Sequence, residues 1–233
     1  VPDGHVYAFE PSPSTASTLR RNIEANGLYN VTIIEGALGA APGIVRFNHA
    51  TTFTAGSRVL TPLDEGGIEV PVQTLDKLAA EHGTRFDFLK IDTEGYEPWV
   101  LSGLAGQLRP ELPIWMEFNS LCLIACGANP LAFACGLTRV FDAQRIEPDG
   151  TFTPMRDGHS FILENMVRRG CVDDLLMRPR PDTALLPLTE LIGGQEQSVM
   201  MELSAARTEL AAVYRSTSWR ITAPLRVVGR WLT

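Results

Sequence analysis

Several features whose presence would assign a function are missing from this chain. Its four cysteines, Cys122, Cys126, Cys135 and Cys171, form no CxxC pair, which argues against a zinc site. A chain of 233 residues also has little need of a disulfide framework, so they read as buried thiols in a reducing compartment. No run of 18 apolar residues occurs, so no membrane span is expected. No signal peptide is recognisable, and the chain starts at Val1 rather than Met. There is no GxGxxG stretch, which ranks a dinucleotide oxidoreductase last among the enzymes considered. Basic residues are outnumbered, 20 Lys and Arg against 27 Asp and Glu, giving a formal net charge of −7 and a pI near 5.1. Nucleic-acid binders are usually basic, so no nucleic acid is expected as a partner. Histidine is scarce, with four in all. His5, His49 and His82 read as surface or turn residues, and only His159 falls among the late strands.

What remains is globular in composition, 45% hydrophobic and 20% charged, and long enough for one domain plus an appendage. The chain is organised around Phe86-Asp-Phe-Leu-Lys-Ile-Asp-Thr-Glu-Gly-Tyr-Glu-Pro98. Phe86 to Ile91 has the length and composition of a buried strand, broken only by Asp87 and Lys90. It gives way to Asp92, Thr93, Glu94 and Gly95, and Pro98 suits the start of a helix. Two carboxylates therefore fall where a strand becomes a loop, which in open α/β sheets is the ligand-binding edge. A carboxylate there can take a proton, hold a metal or grip an amine. The plainer alternative is that Asp92 or Glu94 caps the following helix.

Along the rest of the chain, His5 to Phe9 reads as a strand ending at Glu10, followed by a helix capped by Ser14 or Thr15 and stopped at Asn26-Gly27. Val31–Ile34 is the next strand, and residues 35–39 read as a small-residue loop. Gly43 to Phe47 predicts a short antiparallel strand, 50–67 a surface loop, and Ile68 to Val72 a strand whose Pro71 suggests an edge. Thr74 caps a helix to His82, ended by Gly83. Pro113 to Phe118 is another buried strand, with Glu117 near its end and Asn119 directly after. A short helix over 129–135, strands over 138–146 and 160–163, and a turn at 148–150 complete this part. Strands alternating with helices predict a mostly parallel sheet with helices on both faces, finished by an antiparallel hairpin. The domain is placed at 1–165, a linker at 166–194, and a helical, basic amphipathic tail at 195–233. In that tail Trp219, Leu225, Val228, Trp231 and Leu232 could form an apolar face, with Arg220, Arg226 and Arg230 and no acid after Ser216. Residues 216–233 suit either a peripheral contact with an anionic membrane or docking on a protein partner.

Four stretches, in order and at matching spacing, resemble the FkbM family of S-adenosylmethionine-dependent methyltransferases. They are Val6-Tyr-Ala-Phe-Glu-Pro-Ser-Pro13; Asn22-Ile-Glu-Ala-Asn-Gly-Leu-Tyr-Asn-Val31 with Ala37-Leu-Gly39; Val70-Pro-Val-Gln-Thr-Leu-Asp76; and Asp87-Phe-Leu-Lys-Ile-Asp-Thr-Glu-Gly-Tyr-Glu97. The resemblance covers residues 1–165 and implies a Rossmann-like class I fold, S-adenosylmethionine as cofactor, and a carbohydrate or small-molecule hydroxyl as acceptor. It implies cofactor contacts at Glu10, Pro11, Ala37, Leu38 and Asp92. A carboxylate such as Glu10 at a strand tip can accept both ribose hydroxyls, and Leu38 can pack on adenine. Asp92, with Glu94 and Glu117, is the expected catalytic group, which takes the acceptor's proton or orients it. Glu97 and Asn119 are the expected acceptor-binding residues, Glu97 being equally suited to a structural place at a helix start. Many members carry His where Asn119 stands, which argues against a His base here.

Oxygen ligation of Mg²⁺ by Asp92, Glu94 and Glu117 is chemically open, but no metal is assigned. The family's glycine-rich loop and first strand would lie ahead of Val1, so the chain reads as a fragment of a longer protein or as a catalytically dead product. The tail resembles those of bacterial surface-polysaccharide enzymes, which implies a cytoplasmic protein working at the inner membrane face. The alternative is an inactive accessory module of a polysaccharide-assembly complex.

Overall fold

In the computed structural model, residues 4–48 and 57–181 are described. The expected turn at 1–4, the loop from Ala50, His49, and the expected linker and tail from 182 onward lie wholly or partly outside them.

The chain opens with β1 (Val6–Phe9), α1 (Pro13–Ala25) and β2 (Val31–Ile34). The cap of α1 is Ser12, not Ser14 or Thr15. Its hydroxyl accepts from Thr15 N at 3.4 Å, and Pro13 then enters the first turn, where a missing N–H costs nothing. The crossover helix lets β1 and β2 run parallel, Val6 opposite Val31 and Phe9 opposite Ile34.

A second sheet has the order β3 (Ala37–Leu38), β6 (Ile68–Gln73), β4 (Gly43–Asn48), β5 (Arg58–Val59). Residues 37–38, expected in a loop, are thus strand. Ala37 pairs with Val72 and joins Phe47, Val59 and Val70 in a small apolar core, which a solvated loop could not do. β4 is antiparallel to β6, as expected. β6 is flanked on both sides and is not an edge. β3 starts opposite Val72, so at Pro71 only β4 lies alongside and the missing N–H is tolerated. α2 (Leu75–His82) follows, with Thr74 Oγ1 accepting from Lys77 N at 3.1 Å and Gly83 closing it at φ 57°.

The largest sheet has the order β10 (Phe152–Pro154), β9 (Phe141–Ile146), β11 (Val172–Pro179), β8 (Ile114–Asn119), β7 (Leu89–Ile91). Its helices are α3 (Glu97–Ser102), α4 (Ser120–Ala125), α5 (Pro130–Val140) and α6 (Gly158–Arg168). The strands alternate with period two. Ile114, Met116 and Phe118, with Leu175 and Met177, are fully buried on one face against Leu101, Leu123, Phe133, Leu137 and Phe161. Each such side chain contributes roughly 1.5–3 kcal/mol. The other face carries Trp115, Glu117 and Asn119 opposite Leu176, Asp174 and Val172. This face is open, with Trp115 37% and Val172 43% exposed.

The fold is therefore α/β, but its sheets are mixed. Among the described residues three strand pairs are parallel (β1/β2, β3/β6 and β7/β8), whereas β11 enters antiparallel between β8 and β9. The terminal hairpin is present as β9–β10. Three expectations near the C-terminal end are corrected. The strand expected over 160–163 is part of α6, because Asp157 accepts from Ser160 N at 2.8 Å and Phe161 and Asn165, one turn apart, both face inward. Residues 138–140 end α5, so β9 begins at Phe141. Residues 172–179, read as linker, form β11 in the middle of the sheet. β7 is also shorter than its apolar run, since Asp87 and Phe88 are exposed. Phe86 instead packs edge-on against Tyr7, with ring centroids 5.9 Å apart. Among the described residues β1 pairs only with β2, and β7 only with β8. No described helix is long and apolar enough to cross a membrane.

Candidate active site at the ends of two parallel strands

β7 and β8 run in parallel with Ile91 opposite Met116, so their carboxyl ends lie side by side. Asp92 follows β7 directly, Glu94 sits in the loop beyond it, and Glu117 projects from the open face of β8. One carboxylate oxygen of each lies within 4.8 Å of the others. Sequence distance hid this meeting, but the expected trio is brought together.

Their environments differ. Asp92 is exposed and pairs with Lys90 at 2.6 Å, a contact worth little in water. Glu117 is half-buried, and its Oε2 is buried without a hydrogen-bond partner. Burial, and then the negative charges of Asp92, Glu94 and Glu97, push its carboxyl up to about 7. Glu94 accepts from the Cys122 thiol at 3.2 Å. Three hard oxygen donors suit Mg²⁺, Mn²⁺ or Ca²⁺, and a cation would relieve their mutual repulsion, although exposed acids commonly cluster without one.

Glu97 has a different place. It is 1% exposed, and its Oε1 accepts from Thr93 N and Thr93 Oγ1, both at 2.9 Å, and from Gly95 N at 3.2 Å. It therefore staples the loop that carries Glu94. Burial pushes its carboxyl up against these hydrogen bonds, and its Oε2 has no partner. Gly95 has φ 100°, and a Cβ there would run into the Cys122 carbonyl oxygen, so the loop lies directly on α4. Asn119 ends β8 and caps α4, its Oδ1 accepting from Leu121 N and Cys122 N, both at 3.2 Å.

Glu10 stands at the end of β1. Its N–H donates to Ile34 O and its Oε1 accepts from Ser12 N at 2.8 Å, while Pro11 beside it is half-buried. Among the described residues no hydrogen bond or ion pair joins Glu10, Pro11, Ala37 or Leu38 to the three acids. Leu38 is half-buried and packs on the main core. His159 lies on α6, its Nδ1 3.8 Å from Cys135 Sγ, away from the late strands.

The cysteines are free, but only Cys126 is fully buried and the other three are half-buried. Sequence reasoning gave Cys122 and Cys126 no part at the site. Their spacing of four residues, which puts both on one helical face, was the available signal. It also missed Arg58, which donates to Ala125 O at 3.2 Å and pairs with Asp64 at 2.9 Å, fixing the end of α4 to β5. Burial opposes the ionisation of Asp64, but hydrogen bonds from Arg58 and Thr61 hold its carboxyl well below the usual range.

An α/β domain with carboxylates gathered at the carboxyl ends of parallel strands has the form of a ligand-binding enzyme domain. Residues 2–121 match the model of the methyltransferase FkbM domain. The chain belongs to the FkbM methyltransferase family. A solved structure similar to it is methyltransferase FkbM from Methylobacillus flagellatus KT, 19% identical with a TM-score of 0.35. That match covers 52% of this chain and 28% of the other, so the chain spans less than a third of that relative's length. No curated protein matches the chain.

Proposed function

We propose that the chain is the acceptor-activating part of an O-methyltransferase that uses S-adenosylmethionine on a hydroxyl group, most naturally a sugar hydroxyl of a glycan or glycosylated natural product. The observation that carries this reading is Glu117: a half-buried carboxyl raised to about 7, with an unpartnered buried oxygen, beside two further acids. A group of that kind is poised to take a proton near neutral pH. S-adenosylmethionine, when bound, supplies a methyl group on a sulfonium, which needs little electrophilic help. What the chain must supply is placement of the hydroxyl and removal of its proton. Glu117 takes that proton, Asp92 and Glu94 orient the hydroxyl, and Asn119 stiffens the α4 end of the site. This shifts the proton-accepting role from Asp92, which is exposed and tied to Lys90, to Glu117.

Glu10 fits the ribose of the cofactor. Its carboxylate stands at a strand end, and among the described residues its Oε2 accepts no hydrogen bond. Ala37 and Leu38 would line the adenine. We further propose that a segment preceding Val1 completes the donor site. This is supported by the edges of β1 and β7, each unpaired on one side among the described residues and bridged by the Tyr7–Phe86 contact. Strand edges left open in this way offer backbone N–H and C=O groups for a further strand to pair with.

The test is calorimetric titration of S-adenosylhomocysteine into residues 1–233 and into a chain extended upstream to its natural start. Binding is expected from the extended form, and Glu10→Ala in it should weaken binding at least tenfold, the loss of one or two hydrogen bonds to a charged group. No binding by either form would sink the proposal and favour the accessory module.

A further inference from the structure

Glu94 is held in an unusual way. Its φ is 52°, a left-handed backbone that a residue with a side chain rarely adopts. Strain of this kind persists only where the surroundings over-determine it. Two of the contacts that hold it come from α4 and from Cys126, the residue that caps its C-terminal end. The Cys122 thiol donates to Glu94 Oε2 at 3.2 Å, and the Cys126 thiol donates to the Glu94 carbonyl oxygen at 3.4 Å, nearer than its other acceptor, Val59 O, at 3.6 Å. The helix is fixed at both ends, by the Asn119 cap at its start and by Arg58 on the Ala125 carbonyl at its finish. The close approach of Gly95 to the Cys122 carbonyl adds a steric stop.

We propose that Cys122 and Cys126 are positioning residues for the active site. Their thiol protons hold the backbone and carboxylate of Glu94 in place, and so fix its distance from Asp92 and Glu117. Burial pushes both thiols up to about 12, so both stay protonated and act as donors rather than as nucleophiles. The inference rests on reading the three acids as the site of proton removal, but it can be tested in the unliganded chain.

The experiment is NMR of protein labelled with ¹³C at the glutamate side-chain carboxyls. Glu94→Gln identifies the Glu94 signal, and Cys122→Ala and Cys122→Ser are compared with the parent. Cys122→Ala should move the Glu94 signal, and Cys122→Ser, which keeps an O–H donor, should largely restore it. In Cys126→Ala the Gly95 amide should exchange with solvent about tenfold faster, the size of one lost hydrogen bond. A Glu94 signal unmoved in Cys122→Ala, or one that Cys122→Ser fails to restore, would overturn the proposal. Cys122 is only half-buried, so this pair decides the matter even if Cys126→Ala folds poorly. No ligand is involved, so a failure to bind S-adenosylhomocysteine leaves this result standing. Conversely, cofactor binding beside an unmoved Glu94 signal would remove this inference alone.

Discussion

Glu117→Gln is expected to abolish methyl transfer and at the same time to stabilise the fold. Loss of a general base costs roughly 10²–10⁴ in rate, and glutamine keeps the shape without the basicity. The stability effect has the opposite direction. The Glu117 carboxyl ionises near 7 in the folded chain, against an ordinary value of 4.5. Between those two values the folded state binds more protons than the unfolded state, so stability falls as pH rises through that window and levels off above it. The group is half-exposed and solvent screening discounts the effect, which leaves on the order of 1 kcal/mol. Glu117→Gln should therefore raise the melting temperature at pH 8 and change it little at pH 4. Activity of the parent enzyme should rise with pH and level off above about 7. Urea melts at the two pH values, with a methyl-transfer assay on the extended chain, check both halves. A variant that loses activity with no pH-dependent gain in stability would mean that Glu117 is not held at a raised value.

Asp173→Ala should cost about 3–5 kcal/mol, the penalty for breaking a buried ion pair from one side. Asp173 is on β11 with its side chain fully buried. Its Oδ1 lies 3.3 Å from Arg145 Nε and accepts from Arg169 Nε at 2.5 Å, while its Oδ2 accepts from Asn165 Nδ2 at 2.8 Å. Asn165 in turn meets the Ser120 hydroxyl, the first residue of α4. Arg145 is 6% exposed in its side chain and stacks over Phe161, so removing the acid strands a buried cation. The remaining partners of Arg145, Glu147 and Glu164, are more exposed and cannot replace it. Denaturant unfolding reads the loss. A cost below about 1 kcal/mol would show that Arg145 finds water in the variant.

The parts of the fold legible in the sequence were those with local punctuation. Thr74 and Gly83 bracket α2, and Pro130 after Asn129 starts α5, though the helix runs on to Val140. The hairpin at 148–150 was equally plain. β11 was missed because Val172-Asp-Asp-Leu-Leu-Met carries two acids in succession, and only the structure shows that Asp173 points inward to Arg145 of β9 and to Arg169, just past the end of α6. The run 160–163 fits a strand or a helix turn equally well by hydrophobicity alone. At the site, Asp92, Glu94 and Glu117 could be named individually because each lies at or near the end of an apolar run. Their different protonation could not, since it depends on which of them the sheet buries. Nor could the role of the thiols, which arises from the pressing of the Gly95 loop against α4.

The pairing of β1 with β2 alone has a consequence for how the chain breathes. Among the described residues no backbone ladder joins β1–α1–β2 to the rest, and Tyr7, Phe9 and Ile34 attach it through side-chain packing. A unit held in that way can detach as a whole without melting what it leaves behind. It forms a separate layer of stability below that of β8, β9 and β11, whose ladders are shared on both sides. In residues 1–233 taken alone, the stretch that bears Glu10 is therefore expected to open more readily than the stretch that bears Glu117.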